Sequence, residues 1–231
     1  LLQPVYDFDE VMDTADSQKK KINYWGYTGG SYFAPKSAFS SEDPCEEFSE
    51  MVDALHGNGI EVLLQFYFDH SCRTQFIIDC LRYWVINYHI DGFEILGPRV
   101  PVRDIALEPI FAKTKILAFN PDTDDIYGRD VMPVFRNLAS LNDSFMHDCR
   151  KYLKGDEDML GRFTLDLLNN PEKCAAVNYI ATYNSFTLYD LVSYERKHNE
   201  SNGEDNKDGE DYNFSWNCGA EGRSRKKAII N

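Results

Sequence analysis

The 231-residue sequence is short of basic residues, of cysteine pairs and of long apolar runs. It has 24 Lys and Arg residues against 38 Asp and Glu residues, which gives a formal net charge of −14. Because a phosphate backbone is bound by a basic face, this charge excludes a nucleic-acid partner. No apolar run approaches the roughly 20 residues that cross a bilayer. The acidic start, Leu1–Glu10, lacks the layout of a signal peptide, so we expect no membrane partner and no secretion.

Six cysteines are scattered along the chain, and none of them forms a C-x-x-C pair. Zinc sites need closely spaced ligands, and six cysteines are too few for a disulfide scaffold of this length. We therefore expect reduced, buried thiols in a cytoplasmic protein. Hydrophobic residues make up 43% of the chain and aromatic residues 14%, which is enough apolar material for a folded core.

Short apolar segments alternate along the chain with amphipathic segments of helical period. Four segments have the composition of strands: Glu61–Phe68, Ile90–Leu96, Thr114–Phe119 and Ala175–Tyr183. Four others are predicted to be helical: Ser49–Asn58, Phe76–Tyr88, Leu107–Ala112 and Phe145–Leu153. This order predicts an α/β fold with a parallel sheet and crossover helices, either doubly wound or closed into a barrel. We expect one domain over residues 1–231, with a long polar loop at residues 198–222.

Several motifs follow one another in an order that is specific when taken together. They include Asn23-Tyr-Trp-Gly-Tyr27, Phe33-Ala-Pro35, Asp91-Gly-Phe93 and Ser215-Trp-Asn-Cys-Gly219. From about Pro4 onward the chain resembles the alpha-amylase superfamily, glycoside hydrolase family 13, in its isoamylase and bacterial glycogen-debranching branch. The resemblance implies a (β/α)₈ TIM-type barrel with its site at the carboxyl ends of the strands.

The resemblance also implies a retaining mechanism that uses three carboxyl groups: a nucleophile, an acid and a stabiliser of the transition state. Here Leu96 stands at the position of the nucleophile, Phe119 at that of the acid and Asn184 at that of the stabiliser. Leucine and phenylalanine can neither attack a sugar nor donate a proton, so we expect no catalytic residue at these positions. The family chemistry implies no cofactor, and we expect no metal.

The expected barrel is incomplete. Leu1–Tyr6 resembles the second barrel strand, so the first strand is not recognisable, and neither is the eighth. Only Ser71–Gln75 stands where the family inserts a small domain after the third strand, so that domain is expected to be lost. Since open sheet edges invite pairing, a strand-exchanged homodimer or a larger parent polypeptide could complete the barrel.

Other side chains near the expected cleft have two interpretations each. Glu94 could form a substitute carboxyl pair with Asp69, or it could be held by a nearby Lys, Arg or Tyr; we favour the second interpretation. His70 matches a position that holds the sugar in the family, and its alternative is a histidine of the core.

Aromatic and polar side chains complete the expected substrate-binding set. Trp25 and Tyr27 could stack on sugar rings or pack in the core. Tyr183 stands where the family has a sugar-contacting histidine, and Asn184 lies next to it.

These observations favour a catalytically degenerate barrel that acts as a non-catalytic alpha-glucan-binding or structural module in carbohydrate metabolism. The alternative is an active glycosidase for alpha-1,6 or alpha-1,4 linkages, with rearranged carboxylates or with a barrel completed by the parent polypeptide or a partner chain. A module used only for assembly would bind no glucan.

Overall fold

The computed structural model describes residues 1–13, 20–202 and 206–227. The chain falls into two compact units, which are treated separately below. The first unit contains Leu1–Ser140 and Pro171–Ala175, and the second contains Leu141–Asn170 and Ala176–Asn231.

The first strands form two small antiparallel sheets in the first unit. Strand β1 (Tyr6–Phe8) pairs with β4 (Gly30–Pro35), and β2 (Val11–Asp13) pairs with β3 (Lys20–Ile22). The sequence analysis predicts neither sheet. Three of the four strands have only three residues, which is too short to show an alternating pattern.

A larger sheet of five strands follows among the described residues. Its strands are β5 (Leu63–Tyr67), β6 (Gly92–Leu96), β7 (Lys115–Phe119), β8 (Leu138–Asn142) and β9 (Ala175–Asn178). They lie side by side in chain order, and the pairs β5–β6 and β6–β7 are parallel. A doubly wound sheet reverses its strand order, whereas a barrel keeps chain order. The fold is therefore a partial (β/α)₈ barrel.

The start of the chain runs beside β5. Leu2 forms a parallel bridge with Leu64, in which the Leu2 amide donates to the Leu63 carbonyl at 2.8 Å and the Gln65 amide donates to the Leu2 carbonyl at 2.8 Å. This segment occupies the place expected for the second barrel strand.

The helices of the first unit are α1 (Pro44–Gly57), α2 (Thr74–Tyr88), α3 (Val102–Leu107) and α4 (Thr123–Tyr127). Helix α1 begins five residues before its predicted start, because the Asp43 carboxylate accepts hydrogen bonds from the amides of Cys45 and Glu46 and Pro44 occupies the first turn. The helix predicted over Leu107–Ala112 is instead α3 followed by a 3₁₀ turn at Pro109–Phe111. Pro109 has no amide to donate within a helix, so it interrupts the predicted segment.

Aromatic residues build the core between the sheet and α2. Phe66 on β5 contacts Phe93 on β6 and Trp84 on α2, with ring centroids 5.9 and 5.8 Å apart. All three side chains are fully buried, and the Trp84 Nε1 donates to the Tyr32 carbonyl at 2.8 Å. These rings cover the outer face of the strands, which leaves the alternate residues for the inner face.

Helices α5 (Asp143–Lys154) and α6 (Met159–Leu168) belong to the second unit. The Asn142 side chain accepts a hydrogen bond from the Phe145 amide at the start of α5, and Gly155 ends the helix in the left-handed conformation. Buried Arg150 of α5 donates to the Ile180 carbonyl at 2.8 Å and to the Asn213 carbonyl at 3.1 Å. Helix α5 thereby fixes two segments that have little regular structure.

The polar loop predicted at residues 198–222 is ordered by its own side chains where the structure describes it. The Lys197 ammonium binds the Asp211 carboxylate at 2.7 Å, and His198 lies 2.8 Å from Glu221. Asn213 is buried, and its amide donates to the Leu191 carbonyl at 2.9 Å. The loop is therefore held by specific hydrogen bonds as well as being solvated.

The expectation of buried thiols is wrong for most of the cysteines. All six are free, but only Cys80 and Cys149 are buried. Cys45 and Cys218 are exposed, because Cys45 lies in the first turn of α1 and Cys218 lies in the polar loop. The amino-acid composition alone does not tell which cysteines lie in the core and which lie on the surface.

Candidate functional site

The inner face of the sheet ends in apolar side chains at the two positions where the sequence analysis looks for a nucleophile and an acid. Gln65 of β5, Glu94 of β6 and Leu117 of β7 stand in register, so residues two further along each strand lie on the same face. Those residues are Tyr67, Leu96 and Phe119. Leu96 is half-buried and Phe119 is 45% exposed. The strands thus present hydrocarbon at the two positions where the sequence analysis expects the nucleophile and the acid of a retaining hydrolase.

Glu94 is held by an amide from the neighbouring strand. The Gln65 Nε2 donates to the Glu94 Oε2 at 2.7 Å, and the Gln65 Oε1 accepts a hydrogen bond from the Tyr27 hydroxyl at 2.8 Å. Gln65 is fully buried and Glu94 is 3% exposed. The sequence analysis favours a Lys, Arg or Tyr as the partner of Glu94. Gln65 is one partner that it does not predict, and Tyr27 binds the other end of the Gln65 amide.

Because both members of this pair are buried, the hydrogen bond between them replaces contacts with water that burial removes. We expect Gln65→Leu to lower the free energy of unfolding by about 1–3 kcal/mol, since it leaves the Glu94 carboxylate and the Tyr27 hydroxyl without this partner. Glu94→Gln is the matched control, because it keeps the volume and an acceptor oxygen. Urea unfolding checks both variants, and equal stabilities for the two would contradict the assignment of this pair.

Three aromatic rings form a row at the end of β5, and we call them the aromatic row: Trp25, Tyr27 and Tyr67. Tyr27 stacks on Tyr67 with ring centroids 4.8 Å apart, and Trp25 stacks on Tyr27 at 6.4 Å. Trp25 is the outer ring and is 38% exposed. The hydrogen bond from the Tyr27 hydroxyl to Gln65 fixes the middle ring. The row therefore presents a rigid aromatic edge to solvent.

A groove of about 480 Å³ lies beside Trp25. Tyr24, Phe8 and Phe39 give it aromatic walls, and Lys36 is one of its few charged groups. The Lys36 ammonium contacts Asp7 at 3.3 Å and Glu10 at 3.1 Å, so its charge is compensated inside the protein. The volume and the apolar lining are those of a small-molecule site.

Asp69 and His70 lie in the turn after β5. The Asp69 Oδ1 accepts hydrogen bonds from the Ser71 amide at 2.7 Å and the Ser71 hydroxyl at 2.5 Å. These bonds lower the pKa of Asp69, which suits an ionised carboxylate and not a general acid. His70 is exposed, so the alternative of a core histidine does not apply.

Tyr183 and Asn184 belong to the second unit. Tyr183 is half-buried and Asn184 is exposed. The Asn184 backbone amide donates to the Thr182 hydroxyl at 3.4 Å, within a turn that follows β9. Their roles in binding a sugar stay predictions.

Sequence reasoning misses two residues of this site, Gln65 and Tyr67. Both lie inside the apolar run that predicts β5, where a single glutamine and a tyrosine give no separate signal. Their parity with Glu94 and Leu96 across the strands is the feature that could have identified them.

No group of three or more His, Cys, Asp and Glu side chains that could hold a metal ion is found in the part of the chain that the structure describes. Over the same residues, no helix is long and apolar enough to cross a membrane.

No model of a known protein family matches the chain. It is nevertheless 36% identical over 266 residues to the glycogen debranching enzyme of Erwinia tasmaniensis, covering 87% of this chain and 40% of that protein. It is 28% identical over 313 residues to the chloroplastic isoamylase 1 of Oryza sativa subsp. japonica, covering 96% of this chain and 39% of that protein. Among solved structures, a pullulanase of Paenibacillus barengoltzii in complex with maltotriose matches with a TM-score of 0.60 at 17% identity, covering 81% of this chain and 41% of that one.

The sequence relatives are isoamylases and glycogen debranching enzymes, which supports the branch of the alpha-amylase superfamily, glycoside hydrolase family 13, that the sequence analysis identifies. The structural match at low identity supports the barrel fold.

The chain spans about two fifths of the length of these relatives. Both alignments are longer than its 231 residues, so the relatives carry residues between matched segments that this chain lacks. In the structure β5 ends at Tyr67 and α2 begins at Thr74, which leaves a short connection where the sequence analysis expects the loss of an inserted domain.

Proposed function

We propose that this chain is a catalytically degenerate member of its branch, a pseudoenzyme that binds alpha-glucan without hydrolysing it. The observation that carries the proposal is the pair of hydrocarbon side chains, Leu96 and Phe119, at the carboxyl ends of β6 and β7. Without a nucleophile and an acid at these ends, a retaining mechanism has neither of its two chemical steps. Asn184, in the place of the stabilising carboxylate, is neutral and cannot balance the positive charge of the transition state.

Glucan binding is supported by the aromatic row and by the groove beside it. The apolar face of a pyranose ring packs on an aromatic platform, and Trp25 offers an exposed one that is backed by Tyr27. The related pullulanase structure contains maltotriose, so a barrel of this shape accommodates a malto-oligosaccharide. His70, Tyr183 and Asn184 are further proposed contacts with the glucan.

The rival function is an active glycosidase, and the substitute pair of Glu94 and Asp69 would have to supply it. A retaining pair stands about 5–5.5 Å apart with one member protonated. Asp69 is bound to Ser71 with a lowered pKa, and Glu94 is bound to buried Gln65. Both carboxylates are thus committed to structural hydrogen bonds, which favours the non-catalytic function.

The open sheet edge supports the further proposal that a longer polypeptide or a second copy completes the barrel. Leu2 uses its amide and carbonyl to pair with β5, so those of Gln3 face the other way. Among the described residues Gln3 forms no backbone hydrogen bond, which leaves room for another parallel strand.

A cytoplasmic location stays a proposal as well, since relatives include chloroplastic isoamylases.

The proposal predicts no hydrolysis. Incubation of the chain with glycogen and amylopectin should release no reducing ends above the buffer blank, while an active isoamylase in parallel should release them readily. Release that disappears in Glu94→Gln would contradict the proposal and would identify a working substitute carboxylate.

A further inference from the structure

A polar pocket of about 250 Å³ lies within the second unit. Its walls come from the segment after β9 and from the polar loop, and they combine charged side chains of both signs with the rings of Phe186 and Tyr194. No residue of the first unit contributes to it. The proposal below therefore goes beyond the aromatic row and does not depend on it.

Most of the charged side chains in this pocket are already paired. The Lys197 ammonium binds Asp211, and His198 lies against Glu221. The Glu210 carboxylate accepts a hydrogen bond from the Ser185 hydroxyl at 2.8 Å and lies 3.4 Å from the His147 ring. These groups shape the pocket but keep little capacity for strong new bonds.

Two charged groups remain available. Within the described residues, neither the Arg196 guanidinium nor the Asp190 carboxylate takes part in a side-chain hydrogen bond or an ion pair, and both line the pocket. Asp190 uses only its backbone here, since its amide donates to the Thr187 hydroxyl at 3.2 Å. The pocket thus offers the N–H donors of the Arg196 guanidinium and the acceptor oxygens of the Asp190 carboxylate to a ligand.

This combination selects a neutral ligand with hydroxyl groups. An anion would be attracted by Arg196 but repelled by Asp190 and Glu210. A cation would be attracted by the two carboxylates but repelled by Arg196. A hydroxyl group can accept from the guanidinium and donate to the carboxylate, so a polyol satisfies both without a net charge to desolvate.

The volume of the pocket and its aromatic side chains restrict the class of ligand further. A volume of about 250 Å³ is below the roughly 300–1,000 Å³ of sites for drug-sized molecules. It suits one six-membered ring better than an oligomer. Tyr194 is half-buried beside His198, with ring centroids 5.4 Å apart, and offers an apolar surface for the C–H face of such a ring.

We propose that the pocket around Arg196 and Asp190 binds a single neutral polyhydroxylated ring, either a free hexose or the end unit of a glucan. Glucose and maltotriose distinguish these sources. Binding of glucose identifies a free hexose as sufficient, whereas binding of maltotriose alone identifies the end unit of a chain.

The test measures the affinity of the full chain for glucose and for maltotriose by saturation-transfer NMR and calorimetry. Arg196→Gln and Asp190→Asn should each weaken binding about tenfold, because each removes a charge-assisted hydrogen bond. Arg225→Gln is the matched control: it makes the same charge change at an exposed residue of the same unit that does not line the pocket, and it should leave the affinity unchanged.

Three results would overturn the proposal: binding of neither sugar, equal affinity in Arg196→Gln and the unmutated chain, or displacement of the sugar by inorganic phosphate or glycine at lower concentration. Its failure is distinguishable from that of the proposed function. If neither sugar binds this pocket while glycogen binds and Trp25→Ala weakens that binding, only the pocket is refuted. If the sugars bind the pocket but Trp25→Ala leaves glycogen binding unchanged, only the aromatic row is refuted.

Discussion

Trp25→Ala is expected to weaken glycogen binding about tenfold or more. Trp25 is the exposed outer ring of the aromatic row, and it is backed by Tyr27 and Tyr67 in stacked geometry. A rigid aromatic platform loses little conformational entropy when a sugar packs on it, so its removal costs about 1.5–3 kcal/mol at a binding hot spot. Affinity electrophoresis in gels that contain glycogen measures the change as a loss of retardation.

The control for this variant is Trp216→Ala, which removes the same side chain at a more exposed position elsewhere in the chain. The account expects it to leave retardation nearly unchanged. Circular dichroism should show both variants folded, since neither side chain is buried. Equal loss of retardation in the two variants would remove the special role given to the aromatic row.

Gly97→Ala is expected to lower the free energy of unfolding by about 3 kcal/mol or more. Gly97 follows Leu96 directly and has φ of +135°, a conformation that side-chain-bearing residues rarely adopt. A Cβ added there would lie 2.0 Å from the Phe68 carbonyl oxygen, which is backbone and cannot turn aside. The Phe68 amide donates to the Leu96 carbonyl at 2.9 Å, so a shift would also break the link between the ends of β5 and β6.

Gly57→Ala is the matched control for the glycine substitution. Gly57 is the last residue of α1, and a Cβ added there would meet no atom within 4 Å. Alanine should be neutral at this position or stabilising by about 0.5–1 kcal/mol, because it restricts the unfolded chain. Urea unfolding of both variants decides the question. A stable Gly97→Ala protein would mean that the backbone at the end of β6 is freer than the structure shows.

The strands of the first unit are the part of the fold that the sequence predicts best. The segments Glu61–Phe68, Ile90–Leu96 and Thr114–Phe119 contain β5, β6 and β7, because each is a short apolar run bounded by polar residues or glycine. The choice between a doubly wound sheet and a barrel could not be made from these runs. It needs the order of the strands in space, which only the structure or a relative of known fold supplies.

Other elements leave too weak a signal in the sequence. Strand β8 reads Leu-Ala-Ser-Leu-Asn, and its two polar residues hide the apolar alternation. Helix α6 contains Gly161 and Thr164, which favour other conformations and mask its helical period. The segment Ala175–Tyr183 is strand only as far as Asn178.

In the candidate site, too, some residues can be identified from the sequence and others cannot. Leu96 and Phe119 are assigned to the catalytic positions from their motifs alone, and that assignment stays a prediction. Gln65 could not be identified in this way, because its role depends on standing beside Glu94 in the register of β5 and β6. The partner of a buried polar group is a property of packing across strands, and a single sequence does not contain it.

The most direct test of the central claim measures binding and hydrolysis on one preparation of the full chain. The same sample is run in glycogen-containing gels and assayed for reducing ends after incubation with glycogen. The account predicts retardation without release of reducing ends. Release of reducing ends, or free migration through the gel, would contradict it.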